Sequence, residues 1–131
     1  MIVLDTHVLV WWVSGSGRLT ARAIRAIQQT LRQGPLVASA ITVLEIVTAV
    51  RRGRLELGSP VDAWLADLQA LPELRFEPVS AAIAQLAGSF DDALPGDPAD
   101  RIIVATARTL GARLVTADAR LRESPLVPAL W

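Results

Sequence analysis

Lysine, cysteine and tyrosine are absent from this 131-residue chain, and histidine occurs once, at His7. Without lysine there is no side chain to grip a phosphate in the manner of a P-loop, and no amine to form a Schiff base. Without cysteine, thiolate zinc sites, thiol nucleophiles and redox disulfides are excluded. A phospho-acceptor receiver domain, which the length would suit, normally needs a lysine beside its acidic pocket. Carboxylate chemistry remains, with or without a metal, or no chemistry at all.

Hydrophobic residues make up 52% of the chain and charged residues 20%, with 8 glycines and 8 prolines. Such a chain can bury a core without covalent staples, and residues 1–131 read as one domain. A mean hydropathy of +0.40 calls for a buried sheet or a sizeable interface. The 13 basic residues, all arginine, balance 13 acidic ones. The start, MIVLDTHVLVWWV, has no basic residue at its front and carries Asp5 and His7 inside, so it reads as a first core strand rather than a signal peptide. Leu36 to Val50 is too short to span a bilayer and contains Glu45. A cytoplasmic location, with no membrane contact, is the expectation.

Ile2-Val3-Leu4 and Leu36-Val37-Ala38 are short apolar runs suited to strands buried on both faces. Thr20 is placed to cap a helix whose apolar positions are Ile24, Ile27 and Leu31, with Leu19 and Ile24 at staple spacing and Gly34 as the stop. Ser39 is expected to cap a second helix that runs to about Arg52, before Gly53. Ser59-Pro60 opens a third, with Val61, Trp64, Leu65 and Leu68 on one face and Pro72 beyond its end. Arg75-Phe76-Glu77 is a weaker strand candidate, and Ser80 caps a helix containing Ile83, Leu86 and Ala87. After a turn-rich loop, Ser89 to Gly96, Asp97-Pro98 starts a helix that reaches Gly111. Arg113 to Thr116 is a strand, and Asp118 to Leu121 can form a helical turn. Alternation of this kind predicts an α/β domain: a mainly parallel sheet with helices on both faces, without repeats or linkers.

In such a sheet, ligands bind beyond the carboxyl ends of the strands. Asp5 follows the first strand directly, and Asp118 follows the last by one residue past Thr116. Either could simply cap a turn. Glu45 is the one charge between Leu36 and Val50. It is either exposed on a face shared with Thr42, Thr48 and Ala49, or aimed into a site where a cation neutralises it. Asp97 and Asp100 share a face at a helix start. Asp97 has the position of an N-cap, and Asp100 that of a residue favouring the helix dipole.

MIVLDTHVLVWW, ASAITVLEI, DPADRIIVATA and RLVTAD, in this order and spacing, resemble the PIN-domain nucleases, and among them the VapC-type toxins of toxin–antitoxin pairs. The likeness runs from the first strand to about Leu121. It implies a single PIN-like domain and an acidic catalytic and metal site made of Asp5, Glu45, Asp100 and Asp118, with Thr6, Thr116 and Asp97 in support. It further implies Mg²⁺- or Mn²⁺-dependent hydrolysis of RNA that leaves 5′-phosphate and 3′-hydroxyl ends. Pairing as a homodimer and inhibition by a cognate antitoxin, with a segment laid over the acidic groove, are implied as well. Hard oxygen donors without His or Cys favour Mg²⁺ or Mn²⁺ over zinc on chemical grounds alone.

His7 reads as a local structural residue rather than a general base. Arg51, Arg52 and Arg54 either complement a helix C-terminus or contact RNA phosphates, and Arg101 is a further candidate for RNA contact. Trp11, Trp12, Trp64 and Trp131 serve core packing or an interface. If Asp5, Glu45, Asp97, Asp100 and Asp118 share one pocket, the remaining surface carries eight acids against 13 arginines, which suits RNA better than the formal neutrality does. Two other readings stand beside the toxin: a PIN nuclease of RNA processing, and a non-catalytic α/β module that binds a cation or a partner.

Overall fold

Ile2, Val3 and Leu4 are all buried, as are Leu36 through Ser39. Strands covered on both faces have this property. The computed structural model describes residues 1–94 and 97–131. In it these segments form β1 (Ile2–Leu4) and β2 (Leu36–Ser39), joined by β3 (Leu74–Glu77), β4 (Arg113–Val115) and β5 (Ala129–Leu130). All neighbouring pairs are parallel, in the order β3-β2-β1-β4-β5. The earliest strand is therefore central. The chain winds outward from it first one way and then the other, which creates a topological switch point between β1 and β4.

Strand side chains alternate between two packed layers. Ile2, Leu4, Leu36, Ala38, Val115 and Leu130 face a cluster that includes helices α1 (Thr6–Ser14), α2 (Ala21–Leu31), α3 (Ile41–Arg51) and α4 (Val61–Gln69). Val3, Val37 and Leu114 face a second cluster with α5 (Ala81–Ser89), α6 (Pro98–Thr109) and α7 (Ala119–Arg122). Helices on both faces of a parallel sheet are the architecture the sequence predicts. Among the described residues, no helix is long and apolar enough to cross a membrane.

Three expected caps form: Thr20 accepts from Ala23 N, Ser80 from Ile83 N, and Asp97 from Asp100 N. Other expectations change. The chain leaves β1 after Leu4, and Thr6–Ser14 is helix rather than strand. Asp5 caps that helix, and Gly15 closes it in the left-handed region at φ 68°. Ser39 is the last residue of β2 and Ala40 holds the cap position of α3, but the Ser39 hydroxyl still serves the helix start, accepting from Ile41 N at 3.2 Å. On α2 the buried stripe is Ala23, Ala26 and Ile27, with Ile24 40% exposed, because the alanines allow close approach to the sheet. Within the expected loop after α5, Pro95 and Gly96 lie outside the described residues.

Candidate active site

The switch point brings Asp5, beyond β1, next to Thr116, beyond β4. Asp5 is 7% exposed, and both its oxygens are engaged: Oδ1 accepts from Thr6 N at 2.8 Å, and Oδ2 from Thr116 Oγ1 at 2.6 Å. Thr116 Oγ1 in turn accepts from Asp118 N at 3.0 Å. Thr116 thereby ties the ends of the two strands together.

Glu45 enters from α3. Its Oε1 accepts a 2.6 Å bond from Thr6 Oγ1, which lies 2.9 Å from Thr42 Oγ1. Since the Thr6 proton goes to the carboxylate, Thr42 is the donor to Thr6. Thr42 is fully buried, not on the exposed Thr/Ala face that the sequence allowed for Glu45. Its place one helical turn before Glu45 was the available signal. Replacing Thr6 by Val removes the shared hydroxyl. The change should cost about 1 kcal/mol of stability and raise the Glu45 pKa further, to be read by thermal melting and by NMR titration of the carboxyl.

At the start of α6, Asp97 caps the helix by accepting from Asp100 N at 3.0 Å. It also belongs to the tightest acidic group among the described residues. Glu45, Asp97 and Asp100 each place a carboxylate oxygen within 4.8 Å of the others'. That group and the ligand set implied by the resemblance share Glu45 and Asp100. The surrounding cleft, about 530 Å³, is also lined by Asp5, Thr6 and Asp118.

Arg120 was not singled out in the sequence, although it lies two residues after Asp118. It grips Asp118 bidentately, Nε to Oδ1 at 3.2 Å and Nη2 to Oδ2 at 2.7 Å, and its Nη2 is 3.8 Å from Asp100 Oδ2. This hydrogen bonding holds the Asp118 carboxyl below the ordinary range. Asp100 moves the other way. Burial first, and then the charges of Asp97, Asp5, Glu45 and Asp118, push it from 3.8 up to about 7. Glu45 is also raised, chiefly by burial and against the Thr6 hydrogen bond, with Asp5 and Asp97 adding to the rise.

Such crowding is a surplus of negative charge that a cation would relieve. Oxygen-only donors suit a hard divalent ion, so the residues present fit one. The arginine candidates separate. Arg52 and Arg54 line a groove that adjoins the carboxylates, and Arg51 is exposed at the end of α3. Arg101 instead donates to the carbonyl oxygens of Ala87, Phe90, Asp91 and Leu94. One of its five N–H groups is left for any other partner. His7 is exposed, lines the cleft and packs tilted against Trp11 at 5.9 Å.

The same fold recurs in solved structures. A toxin–antitoxin complex from Klebsiella pneumoniae superposes with a TM-score of 0.66 at 21% identity, covering 97% of this chain and 95% of that one. VapBC2 from Rickettsia felis, bound to a promoter DNA fragment, gives 0.72 at 17% identity, with 99% and 98% covered. In sequence the chain is 37% identical over 122 residues to the ribonuclease VapC22 of Mycobacterium tuberculosis, spanning 93% of this chain and 90% of the relative. The family model for the PIN domain matches residues 2–125, a span that holds every carboxylate of the cleft. By that match and that identity, the chain belongs to the PIN domain family.

Proposed function

We propose that residues 1–131 form one nuclease domain acting as the toxin endoribonuclease of a toxin–antitoxin pair. One observation carries the reading: five carboxylates from four separate segments meet at the sheet's switch point in a chain 37% identical to a named ribonuclease. PIN nucleases are generally dependent on a divalent metal, and the ion proposed here is Mg²⁺ or Mn²⁺. Asp5, Glu45, Asp100 and Asp118 would hold it, with Asp97 close enough to Glu45 and Asp100 to contribute. When bound, such an ion supplies a water of lowered pKa and neutralises charge on the phosphodiester and the leaving oxygen.

The chain's own groups do the positioning. Thr6 and Thr116 fix the rotamers of Glu45 and Asp5 through 2.6 Å hydrogen bonds. Arg120 keeps Asp118 ionised and reaches Asp100 with the same Nη2. Arg51, Arg52 and Arg54 are proposed to meet RNA phosphates. A cognate antitoxin belongs to the same reading, supported by the toxin–antitoxin complex among the structural neighbours, and a homodimeric state and a cytoplasmic location are proposed with it.

The test is cleavage of RNA by purified protein. Chelation should abolish cutting, Mg²⁺ or Mn²⁺ should restore it, and the new fragments should carry 5′-phosphates. Cleavage that persists after chelation, and that an Asp5→Asn preparation retains, would reject the proposal.

A further inference from the structure

Trp12, Trp64 and Trp131 pack against the core cluster under α1 to α4, but Trp11 is not part of that packing. Trp11 is half-buried and lines both the carboxylate cleft and an adjoining groove of about 650 Å³ beside α1 and α3. Trp131 supports its indole at 5.7 Å between ring centroids. The exposed Arg18 lies over the ring, its guanidinium carbon 5.6 Å from the centroid. Arg18, Arg52 and Arg54 all line this groove, and none forms an ion pair among the described residues.

Core packing does not account for an indole left outside the core. Ion pairing does not account for Arg18 over the ring, nor for Arg52 and Arg54 along the same groove. An aromatic ring, a guanidinium over it and free positive charge, continuous with a phosphodiester-cutting site, match a nucleotide whose base is free to stack. A base-paired helix keeps its bases inside and offers no such face. The cation–π contact holds Arg18 over the ring before RNA arrives, so little side-chain freedom is lost on binding.

We propose that Trp11 and Arg18 form a stacking platform for an unpaired base beside the scissile phosphate, while Arg52 and Arg54 meet the flanking phosphates. This rests on the ribonuclease reading of the neighbouring carboxylates.

The test uses a hairpin RNA with the protein's mapped cleavage site in its loop, and the same strand annealed to its complement. Wild type should cut the loop form at least about tenfold faster than the duplex. Trp11→Leu should raise KM for the loop form about tenfold with kcat nearly unchanged, and Trp11→Phe should recover most of the loss. In an Asp5→Asn background, anisotropy of the labelled hairpin should show the same weakening for Trp11→Leu. Arg18→Ala should lower the salt slope of binding by about one.

Equal cleavage of loop and duplex overturns the proposal. So does a natively melting Trp11→Leu with wild-type KM and affinity. If Trp11→Leu does not fold, an unchanged affinity and salt slope in Arg18→Ala overturns it instead. RNA behaviour unaltered by either change, with only a protein partner lost, assigns the groove to that protein and also overturns it. A wild type that cuts no RNA with metal present rejects the ribonuclease reading itself, a different result from one that cuts but ignores Trp11.

Discussion

Asp100→Asn should lower RNA cleavage by at least about 100-fold while making the metal-free protein harder to melt at neutral pH. Asp100 sits where burial and four other carboxylates lift its pKa from 3.8 to about 7. Between those values the native state holds a proton that the unfolded chain has released. Stability therefore falls as pH rises through that interval. The contribution is complete below the unfolded value of 3.8 and gone above about 7. The side chain is 18% exposed, and with solvent screening allowed for, the effect is about 1–2 kcal/mol, or roughly 5 °C in melting temperature.

Asparagine keeps the shape and carries no charge. In a chelator, the variant should lose most of the downward slope that wild type shows between pH 5 and 7.5, with the raised Glu45 accounting for what remains. Adding Mg²⁺ at pH 7.5 should stabilise wild type more than the variant. Calorimetry across this pH range decides the matter. A wild type without the slope, or an Asn variant that melts no higher at neutral pH, contradicts the electrostatic account.

Arg101→Ala should destabilise the protein by about 2–3 kcal/mol. The guanidinium serves four backbone carbonyls, those of Ala87, Phe90, Asp91 and Leu94, and lies over the Phe90 ring at 5.9 Å. Removing it strips the turn after α5 of its donors and loosens the entry to α6. Arg101→Lys should rescue little, because a compact ammonium cannot reproduce the planar fork that reaches acceptors spread along the turn. Chemical denaturation measures the loss. Below the melting transition, the salt slope of RNA binding should match wild type, whereas a phosphate contact would lower it by about one. A lowered slope would restore Arg101 to the RNA interface.

The sheet was legible because β1 is wholly apolar, β2 is apolar up to Ser39, and three helices carry side-chain caps at Thr20, Ser80 and Asp97. The helix after β1 was not. Val8 to Val13 is apolar all round, so neither a two-residue nor a helical period appears. Gly15, left-handed at φ 68°, was the helix stop in plain view. β5 is two residues long and held by its parallel pairing to β4, a relation that composition does not carry. Within the cleft, Asp5 and Asp118 were legible from their places after strands, and Glu45 from its isolation. Thr42 and Arg120 were harder, since each acts through a partner: Thr42 through Thr6, and Arg120 through Asp118. Such roles depend on where a neighbour's side chain ends, which spacing alone does not fix.

The bond from Thr116 to Asp5 joins residues 111 apart in sequence, so β1 finds its neighbour β4 only after all the residues between them have been made. At about 5–20 residues per second, the ribosome takes roughly 6–25 s to reach that point. Until then Asp5 has no Thr116 to orient it and no Asp118 in the same cleft. Assembly of the cleft therefore waits on the second half of the sheet, although its first carboxylate is laid down at residue 5.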